Sequence, residues 1–153
     1  LAVNSAKESF LIERGDIYLL EIGSQERRKQ PVLVIQNDIG NRFCRSIIVV
    51  PLVPNLRLKN LLLGVLLTAG GSNGLSADHV ALLSQIMTVD KSYFRKDNFM
   101  GRPDDKALGR VDEAIKLSLG LSTIQHLETK QKLLRKWRLF RKEKIKYVEK
   151  DSY

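Results

Sequence analysis

Hydrophobic residues along this chain come in short bursts separated by turn formers, the pattern of a small β protein. IYLLEI at 17–22 is rich in β-branched and aromatic side chains and predicts a strand. VLVIQ at 32–36 is short, continuous and apolar, which predicts a strand covered on both faces. Pro31 closes the charged loop at 23–30, because proline suits the first position of a strand and not its middle. The Asn, Asp and Gly content of residues 37–41 predicts a turn. SIIVVPLV at 46–53 resumes the strand pattern, and Pro51 within it signals an edge or a bulge. LLLGVLL at 61–67 fits either period, but its shortness and the following AGGSNG favour strand. HVALLSQIMTV at 79–89 reads as one further strand.

The period then changes. Pro103, Asp104 and Asp105 place a proline and acids at a helix start, where unpaired N–H groups favour negative charge. Ala107, Leu108, Val111, Ala114, Ile115 and Leu119 follow at steps of three and four, one apolar stripe for a core. Strands followed by one packed helix predict a mainly β (α+β) fold, a small barrel closed by a helix. The expected organisation is a flexible arm at 1–13, a barrel domain at 14–122 and a basic, helical tail at 123–153. Within that tail Leu133, Trp137, Phe140 and Tyr147 share one face, ringed by Lys130, Lys132, Arg135, Lys136, Arg138, Arg141 and Lys142.

Charge sharpens this picture. The 153 residues carry 26 Lys+Arg against 17 Asp+Glu, a net of +9. Residues 125–153 hold 10 basic and 4 acidic residues, a net of +6, so the remainder has 9 − 6 = +3. Such a basic segment attracts phosphate backbones through Coulomb energy and counterion release. It could dock its apolar face on the barrel and offer cations to RNA, bind a partner protein, or lie on an anionic membrane. A merely solvated extension of the preceding helix is the plain alternative. Nucleic acid or a nucleoprotein is preferred over membrane.

Other chemistry is sparse. One cysteine, Cys44, rules out an intramolecular disulfide and fits a reducing compartment. Two histidines, His79 and His126, are too few for a histidine-based metal site, so neither metal nor cofactor is expected. His79, at a loop-to-strand entry, could serve as a general acid or base but reads rather as an ordinary surface residue, and Asp104 and Asp105 as helix caps. No apolar run approaches the roughly 18 residues that span a bilayer, and LAVNSAKESF lacks the marks of a signal peptide. The expectation is a soluble, cytoplasmic protein.

RGDIYLLEIGSQ at 14–25, QPVLVIQNDIGN at 30–41, SIIVVPLV at 46–53, HVALLSQIMTVDK at 79–91 and VDEAIKLSLGL at 111–121 follow one another in this order. Together they resemble the MazF/PemK (Kid) family of type II toxin–antitoxin endoribonuclease toxins, and PVLVIQND is the most specific segment. The resemblance implies an SH3-like β-barrel of the MazF/PemK type, a homodimer, an antitoxin partner, and metal-independent cleavage of single-stranded RNA. In that reaction the 2′-hydroxyl attacks the adjacent phosphorus, and a guanidinium stabilises the developing charge.

The resemblance places an arginine where this chain has Gln30 and a threonine where it has Val53. These two substituted catalytic positions imply reduced or lost cleavage, or a non-catalytic module that binds RNA or a nucleoprotein. Arg28 and Glu26 are the candidate substitutes, and Ser46 or Thr68 the candidate hydroxyls. The expected RNA contacts are Arg27, Arg28, Lys29, Asn37, Arg42, Arg135, Lys136, Arg138 and Arg141. Met87 falls where the family often has another arginine.

Overall fold

Alternation along the first strands decides the architecture. Ile17, Leu33, Val50 and Leu52 point into one buried cluster, while Tyr18, Leu20, Val32, Val34, Ile47 and Val49 point into another. A sheet with both faces apolar must be covered on both sides. Each of these residues is 1% exposed or less, and burial of such a side chain contributes about 1.5–3 kcal/mol. The structure is a computed structural model that describes residues 10–22, 28–122 and 135–140.

The elements are β1 (Ile17–Glu21), β2 (Lys29–Val34), α1 (Asp38–Phe43), β3 (Ser46–Val53), β4 (Gly64–Leu67), β5 (His79–Leu82), β6 (Met87–Asp90), β7 (Phe99–Gly101) and α2 (Asp105–Ser118). Short 3-10 turns lie at Leu56–Asn60, Lys91–Tyr93 and Lys96–Asn98. The sheet runs β4-β5-β3-β2-β1-β7, with β6 paired to β3 off this path. It is an antiparallel half-barrel. Ala107, Val111 and Ala114 of α2 close the first cluster, and Ile12 and Phe94 close the second. Asp104 caps α2 by accepting from the Ala107 N–H at 2.7 Å, the role its sequence context predicts.

Several elements differ from the sequence expectation, each for a local reason. Residues 37–41 open a helix, α1, because the Asn37 side chain accepts from the Gly40 N–H at 2.8 Å and caps it. The run at 79–89 is two strands, since the Gln85 N–H turns back to the Leu82 carbonyl. Pro51 is buried inside β3, which is not an outer strand, at an interruption of its second ladder. It lies opposite Val32, where the other edge of β3 changes partner from β6 to β5 and a missing N–H is tolerated. Pro31 is the third residue of β2, which starts two positions early and ends at Val34. At 61–67 only Gly64–Leu67 are strand, and the sequence pattern did not disclose β7. His79 is buried, 9% exposed, with Nδ1–H donating to the Ala77 carbonyl at 2.7 Å, so it is no surface histidine. Ile12 belongs to the core, so packing begins before residue 14.

Arg14-Gly15-Asp16 ties these layers together. The Arg14 N–H donates to Asp38 Oδ1 at 2.6 Å, and its guanidinium pairs with Asp112 of α2. Gly15 has φ of 92°, a conformation that L side chains rarely adopt, and packs beside Leu108. Asp16 is buried and accepts from the Glu13 N–H at 2.9 Å and the Tyr18 hydroxyl at 3.3 Å, with Arg102 at 3.4 Å. Desolvation holds its pKa above the ordinary carboxylate value, outweighing the Glu13 N–H and Arg102. The stabilisation from Asp16 is therefore full below about pH 4 and is lost as pH rises through its raised folded pKa. The stability gap between wild type and Asp16→Asn is expected to shift in the variant's favour from pH 3.5 to 7, read by urea unfolding. A gap that moves toward the wild type over that interval would contradict the assignment.

Candidate active site

Strand register builds the candidate site. Leu66 pairs with Val80, Val80 with Val53, and Gln30 with Leu20. The β2–β3 ladder pairs Val32 with Pro51, Leu33 with Val50 and Val34 with Val49. Continued by two residues, it sets Gln30 opposite Val53. The result is one transverse row, Leu66–Val80–Val53–Gln30–Leu20, with neighbours about 4.8 Å apart across the strands. Alternation puts Gln30 on the face of Val32 and Val34, and Val53 on the face of Val49, so both sit on the same side of the sheet. Both are partly exposed, while their row neighbours Leu20 and Val80 are buried.

Chemically the row offers one neutral amide and no charge. Gln30 can donate N–H groups to a phosphoryl oxygen, whereas Val53 can do nothing through its side chain. Arg28 and Lys29 adjoin Gln30 and are exposed, and Lys29 pairs in register with Glu21. His79 neighbours Val80, but alternation turns it to the opposite face, so it is not positioned to serve this row. Ser46 begins β3 and lies at the far end of the strand from Val53. Thr68 follows β4 at the same end of the sheet, two strands removed from β3.

The structure divides the predicted contacts into separate groups. Arg28, Lys29, Gln30 and Val53 share one end of the sheet. Asn37 and Arg42 lie at the opposite end of β2, where Asn37 caps α1 and the Arg42 carbonyl accepts from Lys91 Nζ at 3.0 Å. They are not brought to the Gln30 row. Arg135, Lys136 and Arg138 occupy the helical stretch at 135–140. There Trp137 and Phe140 meet edge to face at 6.4 Å and line a cavity with Leu61, Leu62, Leu63 and Ser84. Glu26, Arg27 and Arg141 lie outside the described residues, as do Leu133 and Tyr147. Met87 pairs with Val49 in β6 and packs against the second cluster. Among the described residues no group of three His, Cys, Asp or Glu could hold a metal ion, and no helix is long and apolar enough to cross a membrane.

Comparison with known proteins agrees with this architecture. MazE-MazF (Form-II) from Deinococcus radiodurans superposes with a TM-score of 0.59 at 19% identity, over 74% of this chain and 99% of that one. An endoribonuclease from Mycobacterial species, solved in complex with its cognate antitoxin, gives 0.57 at 20% identity, over 73% and 96%. These likenesses define the class by fold, a MazF-type barrel with a C-terminal helix. In sequence, the chain is 38% identical over 115 residues to endoribonuclease EndoA of Bacillus subtilis (strain 168), covering 72% of this chain and 97% of that protein. It is 33% identical over 119 residues to endoribonuclease MazF of Staphylococcus saprophyticus, covering 75% and 97%. Residues 13–119 match the model of the PemK-like, MazF-like toxins of type II toxin-antitoxin systems, and the chain belongs to that family.

The Gln30–Val53 pairing can be trapped covalently. Directly opposed residues on antiparallel strands have Cα atoms about 4.5–5.5 Å apart, within the range of a disulfide. With Cys44 replaced by serine, a Gln30→Cys/Val53→Cys variant is expected to oxidise to an intramolecular disulfide, read by thiol counting. A Gln30→Cys/Ser46→Cys control should stay reduced, and the reverse outcome would refute the register.

Proposed function

We propose that this chain acts on single-stranded RNA as a homodimer, with cleavage reduced to a small residual by the residues at its catalytic positions. The observation that carries this reading is Gln30 beside Val53, where the family resemblance places arginine and threonine. Attack of a 2′-hydroxyl on phosphorus requires removal of one proton, delivery of another to the leaving 5′-oxygen, and stabilisation of charge on the non-bridging oxygens. Gln30 offers only uncharged N–H donors for the last of these, and Val53 none. Loss of one charge-stabilising donor costs on the order of 100- to 1000-fold in rate.

Binding is less affected than cleavage, because Arg28 and Lys29 keep positive charge beside the row. The chain is then an RNA-binding member of an endoribonuclease family, working in the cytoplasm without metal or cofactor. A separate antitoxin chain is its proposed regulator. The mycobacterial relative solved with its cognate antitoxin supports that partner.

Cleavage of a long unstructured RNA tests the reading. The wild type is expected to cut slowly, and Gln30→Arg/Val53→Thr to cut about 100-fold faster or more, both in the presence of chelator. Rapid cutting by the wild type that the double variant does not improve would contradict it.

A further inference from the structure

A second surface lies at the β4 edge, on the α2 side of the sheet and so across from the face that carries Gln30 and Val53. Leu66, in register with Val80 and through it with Val53, is about 10 Å across the sheet from Val53. It also lines a cleft of about 610 Å³ between β4, the outermost strand, and α2. Lys106 and Arg110, four residues apart and so on one face of α2, stand over this cleft. Lys59 rises from the turn before β4 on the other side. Glu113 is the one acid among the described lining residues, and Lys116 Nζ already donates to it at 2.7 Å. Arg110 Nη2 donates to the Leu66 carbonyl at 3.1 Å, which fixes the guanidinium at the strand edge.

Leu62 joins this cleft to the cavity under the tail. There Lys136 adds a fourth cation, and the Trp137 indole is 57% exposed beside it. Four cations against one engaged carboxylate, over an apolar floor ending in an exposed indole, is the composition of a single-strand track. Cations follow the phosphates, and an aromatic face stacks on a base whatever its identity.

We infer that the groove formed by β4, α2 and the 135–140 helical stretch is a second single-stranded RNA site, which holds a strand that passes from the Gln30 row around the β4 edge. This inference rests on the RNA reading above and adds to it a surface, a substrate length and a role for the tail. The groove takes no part in cleavage. A short RNA reaches only the Gln30 row, while a longer one engages both.

Anisotropy of labelled, unstructured 6-mer and 20-mer RNAs on the full chain provides the test. Lys59→Gln/Lys106→Gln is expected to weaken 20-mer binding about tenfold at low salt and to reduce the logarithmic salt slope by about 1.4, leaving the 6-mer unchanged. Trp137→Ala should weaken the 20-mer about 5- to 100-fold. Arg28→Glu should weaken both RNAs. Unchanged 20-mer affinity and slope in the lysine variant, with the Arg28 effect intact, would overturn the groove and leave the proposed function standing. Wild-type protein that binds neither RNA would overturn both. Displacement of the 20-mer by poly-L-glutamate as readily as by unlabelled RNA would also overturn it, since the groove would then be a site for acidic peptide.

Discussion

The architecture turns on what β3 does at Pro51. One edge of this strand holds β2 at Val49, Val50 and Pro51, while its other edge bonds β6 through Val49 and then β5 from Leu52 onward. No single flat sheet satisfies that arrangement, so the strands curl, and α2 closes the apolar face left inside. Proline suits the point of exchange because it has no N–H to give to a ladder that changes partner there. The same strand fixes the site. Its register with β2, extended two residues past Val32–Pro51, sets Val53 opposite Gln30, and its register with β5 carries the row on to Val80 and Leu66.

Core packing and the candidate site therefore lie on different parts of the same strands. Val32, Leu33, Val34, Val49 and Val50 are all 0% exposed, and their packing determines whether the chain folds. Gln30 and Val53, further along the same strands, are only partly buried.

Much of the fold was legible in the sequence because its signals are local. The apolar run after Pro31 and the three- and four-residue stripe of α2 each report burial directly, as does the capping aspartate at 104. What escaped was decided by tertiary partners. Asn37 to Asn41 carry turn composition, yet the Asn37 cap makes them a helix start. Phe99–Gly101 is too short for a period and is a strand only because β1 is there to pair with it. The burial of His79 likewise depends on β3 and β4 flanking β5. For the candidate site, motif resemblance singled out Gln30 and Val53, and their opposition follows from extending the β2–β3 register. Asn37 and Arg42 stand near Gln30 in sequence and at the other end of β2 in space. The β4–α2 groove left only one trace, the i, i+4 cations Lys106 and Arg110, easily taken for a solvated helix face.

The central claim is that the Gln30 row still receives RNA while failing to cut it efficiently. Nuclear magnetic resonance of nitrogen-labelled protein during titration with a short unstructured RNA addresses both halves in one sample. The account predicts shifts at the Gln30 side-chain amide and the Val53 backbone amide, with the RNA intact over the titration. Saturable RNA binding that leaves both signals unmoved, or rapid appearance of cleaved RNA, would contradict it.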